Sequence, residues 1–299
     1  LETNSIQLER TVWREIKRFR KSKIKHPWLG RLLNFTNEIR EKVFDDSSKY
    51  KISPPRTIPI LKNIRDKTYR PLSIYNLFDL IVIGQTSKYL SNCFDKLFSD
   101  SSYAFRTGIQ KDKIFNHHKA IEDIIKFKNE IGKPLFVTEC DIKKFYDCVN
   151  HKIVKDHFAI MTEELRQKEK IEIDQHAIYI FKSYLDSFSF NNHVKKNEAK
   201  LLHTIGVKDG TIPWVSENEL QNIESNIKDD TIGIPQGGAI SCLIANILLN
   251  HVDKAIEKKS DSNTFYARFC DDMVLMHTDL NKCNELLEIY QNSLKDIKL

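Results

Sequence analysis

The stretch Thr264-Phe265-Tyr266-Ala267-Arg268-Phe269-Cys270-Asp271-Asp272-Met273-Val274-Leu275-Met276 decides how the rest of the chain is read. Two β-prone pieces, 264–269 and 273–276, flank Cys270-Asp271-Asp272, which predicts a hairpin with acids at its tip. Adjacent carboxylates at a tight turn repel each other and gain little structurally. They are either ordinary turn residues, where Asp is common, or a place for a divalent cation that neutralises them. A second acid lies upstream in Leu135-Phe136-Val137-Thr138-Glu139-Cys140-Asp141-Ile142. Period two puts Val137, Glu139 and Asp141 on one face and Phe136, Thr138, Cys140 and Ile142 on the other. We expect a buried-type strand that ends on Asp141.

Residues 143–187 between these strands read as mainly helical, whereas 188–232 is polar and rich in turn signals. Asn191-Asn192, Lys195-Lys196, Asp209-Gly210 and Asp229-Asp230 predict loops, a hairpin and an insertion. Gly233-Ile234-Pro235-Gln236-Gly237-Gly238-Ala239-Ile240-Ser241 then leads into a strong helix at 240–258. Glycines there let backbone approach a ligand closely, or simply start a helix. Upstream, 1–50 reads as helical through Ile6, Leu8, Val12, Trp13, Ile16 and Phe19. A basic cluster lies on it (Arg14, Lys17, Arg18, Arg20, Lys21, Lys23, Lys25), and Ser53-Pro54-Pro55 ends it. A short strand at 56–60 precedes Lys67-Thr68-Tyr69-Arg70-Pro71-Leu72. The fork of Arg70 suits phosphate oxygens, although basic loops are commonly just solvated. Helical patterns follow at 76–98 and 111–130. The last pattern, Cys283, Leu286, Leu287, Tyr290 and Leu294, runs to Leu299 with no breaker, and the chain opens on Leu1. Both lead us to expect a longer protein.

Composition narrows the classes. The chain has 299 residues, 40% hydrophobic and 29% charged, as an ordinary globular protein with a core does. Lys and Arg number 47 against 41 Asp and Glu, a net charge of +6 that leans mildly toward polyanionic partners. The longest apolar run, near 243–249, is interrupted by Asn246 and falls short of the roughly 18–20 residues that span a bilayer. We expect no membrane segment, and no secretory signal opens the chain. Six cysteines without a C-x-x-C pair argue against a zinc ribbon or a disulfide framework and fit a reducing cytosol.

The order of the pieces carries a resemblance. Asp141-Ile142-Lys143-Lys144-Phe145-Tyr146-Asp147, then 234–246, then Arg268-Phe269-Cys270-Asp271-Asp272 resemble motifs A, B and C of reverse transcriptases. Arg70-Pro71-Leu72-Ser73-Ile74 and Ser102-Tyr103-Ala104-Phe105-Arg106-Thr107-Gly108 are similar to the fingers signatures of the bacterial branch that includes group II intron, retron and defence-associated enzymes. The resemblance covers residues 56–280. It implies an α+β right-hand polymerase: an antiparallel palm sheet, helical fingers, and a thumb missing from this segment. The expected division is a helical region at 1–55, fingers at 56–134, and a palm at 135–299 with the insertion at 188–232.

The same resemblance implies site roles. Asp141, Asp271 and Asp272 would be catalytic and, with the carbonyl of Ile142, would bind two Mg²⁺ ions, with Mn²⁺ as an alternative. Arg70 would hold the triphosphate, and Gln236 and Gly237 would line the nucleotide pocket. Tyr146 would exclude a ribose 2′-hydroxyl, unless its ring is a core aromatic beside Phe145. Implied partners are an RNA template, with a dedicated non-coding RNA as one option, a DNA or RNA primer and dNTPs, with a homo-oligomer or accessory defence proteins as further options. RNA-copying RNA polymerases place Asp where Tyr146 stands, which disfavours that class. The intact acids disfavour a non-enzymatic scaffold. Phe269 and Cys270 replace the usual Tyr-Ala, Cys242 a Pro, Ala104 a Gly, and Ile60 a Lys. The retron Asn-Ala-x-x-His element is absent from 147–233, so a defence-associated bacterial enzyme of the cytoplasm is the favoured branch. A retron or intron enzyme, or a template-independent relative, is the alternative.

Overall fold

The computed structural model describes residues 50–107, 113–223 and 231–299, with Lys17 and helical positions 38–39 and 41–43. Most of the region read as helical at 1–50, its basic cluster apart from Lys17, Gly108, and Asp229-Asp230 of the insertion lie outside the described residues. The fold mixes helix and sheet. In chain order the elements are β1 (Arg56–Asn63), β2 (Thr68–Ile74), α1 (Leu77–Phe94), α2 (His117–Ile131), β3 (Phe136–Asp141), α3 (Phe145–Cys148) and α4 (His151–Glu169). There follow α5 (Gln175–Asp186), α6 (Phe190–His193), α7 (Glu198–Thr204), α8 (Glu217–Ile223), α9 (Ala239–Glu257), β4 (Thr264–Phe269), β5 (Asp272–His277) and α10 (Leu280–Asp296).

The chain divides into two compact units that interleave along the sequence. One comprises Leu1–Leu90, Glu172–Ile212 and Pro235–Ile240; the other Ser91–Ile171, Pro213–Ile234 and Ser241–Leu299. These units differ from the consecutive division at 55 and 134 that the motifs suggest.

In the first unit β1 and β2 form an antiparallel hairpin with a register shift between Leu61 and Asn63. Asn76 accepts the Asp79 N–H at 2.9 Å and starts α1. Buried Asp79 in turn accepts the Ser53 N–H at 3.1 Å, tying the Pro-rich segment down. Residues 188–212 depart from the expected loops and hairpin: they form α6, a 3₁₀ turn at Lys195–Asn197, and α7. The physical reason is capping. Ser189 Oγ accepts the Asn192 N–H at 3.3 Å, and the Asn197 amide donates to the Asn192 carbonyl at 2.6 Å. The polar residues thus close short helices.

In the second unit β3, β5 and β4 form an antiparallel sheet in that order. Asn116, Asn150 and Asp279 cap α2, α4 and α10 by accepting backbone N–H groups. The α10 pattern buries Cys283, Leu286 and Tyr290. Helix α9 is long and apolar enough by composition to cross a membrane, yet its side chains from Ile240 to Ile256 are largely buried in the protein, Asn246 included. The expectation of a buried β3 is corrected. Val137, Glu139 and Asp141 are exposed, and Thr138 and Cys140 only half-buried. The alternation holds, but β3 is an edge strand paired only with β5 among the described residues.

Candidate active site

The second unit brings the acids to one end of its sheet. Asp141 lies opposite Asp272 in the β3–β5 register, and Phe269 lies opposite Asp272 in the β4–β5 register. The turn is therefore two residues, Cys270-Asp271, and Asp272 is the first residue of β5 and lies beyond the tip. The Ile142 N–H donates to the Asp271 carbonyl at 3.3 Å, joining the end of β3 to the turn. The Asp272 carboxyl titrates above its ordinary range because of partial burial and the neighbouring charges of Asp271 and Asp141. Like charges have been gathered where a hydrophobic fold alone gains nothing from them.

The two rings after Asp141 differ in burial. Phe145 is 1% exposed, while Tyr146 is half-buried, their ring centroids 5.3 Å apart and nearly perpendicular. The Tyr146 hydroxyl is hydrogen-bonded to Cys270 Sγ at 3.2 Å, so the ring leans on the acidic turn. Burial, then Cys270, pushes the phenol well above its ordinary value, and burial pushes the Cys270 thiol up to about 12. Both stay protonated at neutral pH. The Ile234 N–H donates to the Tyr146 carbonyl at 2.8 Å and the Gly233 N–H to the Val149 carbonyl at 2.8 Å. Buried His151 adds a 2.7 Å hydrogen bond between Nε2 and the Gly233 carbonyl. These contacts strap the segment before Pro235 onto the turn after β3.

The first unit assembles a second set of expected residues. The Ser73 N–H donates to the Gln236 carbonyl at 2.9 Å, which sets Gln236 and Gly237 beside the strand that carries Arg70. Arg70 is exposed and in no ion pair among the described residues. The glycines have a packing reason that was not apparent from the sequence. Gly237 has φ +92° and a Cβ there would come within 2.7 Å of Leu72, while a Cβ on Gly238 would collide with the Tyr184 hydroxyl. The close approach they permit is to Leu72 and Tyr184 of the same unit.

A fixed feature missed by sequence reading lies behind the acids. Arg268, fully buried, forms a bidentate pair with buried Asp253 of α9, Nε to Oδ1 at 2.8 Å and Nη2 to Oδ2 at 2.7 Å. The signal was a cation and an anion inside two apolar runs, but their pairing spans α9 and β4 and leaves no local pattern. Nor did the sequence single out the Tyr146–Cys270 contact.

Carboxylates and a backbone carbonyl are hard oxygen donors of the kind Mg²⁺ and Mn²⁺ take. The Ile142 carbonyl accepts the Phe145 N–H at 3.3 Å and keeps a lone pair. Among the described residues no three His, Cys, Asp or Glu side chains are gathered tightly enough to hold an ion as they stand. The donor chemistry fits; a closed cage is not preformed.

The sheet carries its three carboxylates in the motif order in which the sequence resembles template-directed polymerases. Residues 60–299 match the family described as reverse transcriptase (RNA-dependent DNA polymerase), and the chain belongs to that family. It is 22% identical over 230 residues to the COX1/OXI3 intron 2 protein of Saccharomyces cerevisiae, covering 77% of this chain and 21% of that protein. In fold it is similar to an apo telomerase from Candida tropicalis truncated from its C-terminal domain, with a TM-score of 0.50 and 13% identity. That match covers 89% of this chain and 53% of the telomerase. The chain thus spans about a fifth of the intron protein and about half of the telomerase.

Proposed function

We propose that the chain carries the catalytic region of an RNA-directed DNA polymerase, adding dNTPs to a 3′-hydroxyl. The observation that carries this reading is the register of Asp141 against Asp272 with Asp271 in the adjoining turn. In this reading the three-stranded sheet is the palm, and the hairpin with Arg70 belongs to the fingers, which hold the triphosphate. Asp141, Asp271, Asp272 and the Ile142 carbonyl would hold two Mg²⁺ ions, which when bound neutralise charge on the transferring phosphoryl group and lower the pKa of the attacking hydroxyl. The residues of this chain supply the rest. Tyr146 stands against the sugar and excludes a 2′-oxygen, Phe145 anchors it in the core, and Gln236 and Gly237 border the nucleotide.

The partners in this reading are an RNA template, a nucleic-acid primer and dNTPs. A bacterial, cytoplasmic role in anti-phage defence is the branch that the motifs favour. The similarity to an intron protein supports an intron-type enzyme as the second reading. The deciding experiment offers a primed RNA with dNTPs and Mg²⁺. Template-length DNA products support the proposal, and no incorporation by a folded chain overturns it. Sequencing the nucleic acid that co-purifies with the protein separates the defence reading from the intron reading.

A further inference from the structure

A guanidinium has five N–H donors in one plane, and burial requires that each find an acceptor. All five of Arg268 are met. Nε and one Nη2 hydrogen go to the two oxygens of Asp253. The other Nη2 hydrogen goes to Ser102 Oγ at 2.9 Å, with Asn246 Oδ1 at 3.4 Å. Nη1 donates to the Cys270 carbonyl at 2.8 Å and to Asn246 Oδ1 at 3.3 Å. The acceptors are themselves fixed. The Tyr266 hydroxyl donates to Asp253 Oδ1 at 2.8 Å, and the Asn246 amide donates to the Ala104 carbonyl at 2.9 Å. Even the Arg268 backbone is engaged: its N–H donates to the Ser101 carbonyl at 2.7 Å and its carbonyl accepts the Tyr103 N–H at 2.8 Å.

Of these contacts, the one to Cys270 has a chemical consequence. Cys270 has φ +62°, a left-handed conformation that a non-glycine residue keeps only when its surroundings over-determine it. Its carbonyl is the backbone group immediately before Asp271. A buried ion pair is weak evidence for stability, since apolar residues of similar size often serve as well. An apolar residue, however, cannot hold Asp253 on one edge and a carbonyl on the other. Lysine lacks the fork as well.

We propose that Arg268, fixed by Asp253, is a positioning residue that locks the Cys270-Asp271 turn and so sets the direction of the Asp271 and Asp272 carboxylates for divalent-ion binding. The consequence for catalysis rests on the polymerase reading above; the consequence for the turn does not. Arg268→Met alone leaves the Asp253 charge buried and unpaired, so the test uses Arg268→Met with Asp253→Leu, and separately Arg268→Lys, in the full chain. Amide hydrogen exchange across 269–273 reads the turn, and Mn²⁺ binding followed by electron paramagnetic resonance reads the acids without any turnover.

In a cooperatively melting double variant, turn exchange is expected to accelerate and Mn²⁺ binding to weaken, each on the order of tenfold. Exchange in α4 and α10 stays at the wild-type rate. Incorporation falls in kcat, with primer–template affinity unchanged. Wild-type exchange and wild-type Mn²⁺ binding in the folded double variant would overturn the proposal. If the double variant does not fold, Arg268→Lys decides by the same two readouts: shifts in both support it and wild-type values overturn it. A wild-type chain that incorporates no nucleotide overturns the polymerase reading alone, because the exchange measurement still decides the turn.

Discussion

The two β-hairpins of this chain hold their charges in opposite ways. In β1–β2 the cations Lys62, Arg65, Lys67 and Arg70 lie around an exposed tip, and of these only Lys67 is in an ion pair among the described residues, with Asp209 at 4.0 Å. In β4–β5 the turn is two residues long, and it is held through Cys270, whose carbonyl accepts from the buried Arg268 guanidinium and whose thiol is hydrogen-bonded to the Tyr146 phenol. Exposed cations on flexible stems can follow a phosphate that arrives and leaves. Carboxylates that must meet an ion at fixed spacing need a rigid support, because their mutual repulsion would otherwise spread them. One hairpin is suited to grip and release, the other to hold geometry.

Breaking the acidic hairpin gives the largest expected effect. Asp141→Ala or Asp271→Ala should reduce incorporation to background while the protein still melts cooperatively, since removing a carboxylate relieves repulsion. Near wild-type synthesis by Asp271→Ala would remove this turn from the site. Next come the two rings that follow β3. Phe145→Ala deletes a fully buried ring and should destabilise the fold by about 3–5 kcal/mol. Tyr146→Ala should leave stability closer to wild type and admit ribonucleotides. Denaturant melts and paired rNTP and dNTP incorporation separate these outcomes. Ribonucleotide use that rises in Phe145→Ala instead would shift the motif register by one.

The contrast also explains what was legible in the sequence. Strand β3, the β4–β5 hairpin and helix α9 follow from alternation, an acidic interruption and a long apolar run, each a local pattern. Residues 188–212 were illegible because polar side chains such as Ser189 and Asn197 are as useful for capping short helices as for making turns. Gly237 and Gly238 signalled close approach but not to what; Leu72 and Tyr184 are distant in sequence. The Arg268–Asp253 pair had no local signature at all, since a charge on a strand reads as solvent-facing until its partner is placed.

A smaller effect is expected at the basic hairpin. If Arg70 holds the triphosphate as proposed, Arg70→Ala removes one charge-assisted contact and should raise the apparent KM for dNTP by about tenfold. The melting temperature should not move, because Arg70 is exposed and in no ion pair among the described residues. A drop in kcat at unchanged KM would instead place Arg70 at the chemistry and erase the distinction between the two hairpins.

The smallest effect tests whether the acidic hairpin is strained by its own charge. Asp272 titrates above its ordinary value of 3.8 in the folded chain, through burial and the charges of Asp271 and Asp141. Between that ordinary value and the raised one, the folded chain keeps a proton that the unfolded chain has lost. Stability therefore falls as pH rises through this window, and the penalty persists at neutral pH. In divalent-free buffer at pH 7, Asp272→Asn should melt higher than wild type by roughly one degree, a small gain because the side chain is only partly buried and solvent screens its charge. At about pH 3 both chains carry a neutral group there, and their melting temperatures should converge. Added Mg²⁺ should raise the wild-type melting temperature more than that of Asp272→Asn, which narrows or reverses the gap. If Asp272→Asn melts lower than wild type at pH 7 without divalent ions, its carboxylate is making favourable contacts in the empty protein. The acids would then be part of the turn's own architecture, and the difference between the two hairpins would rest on Arg268 alone.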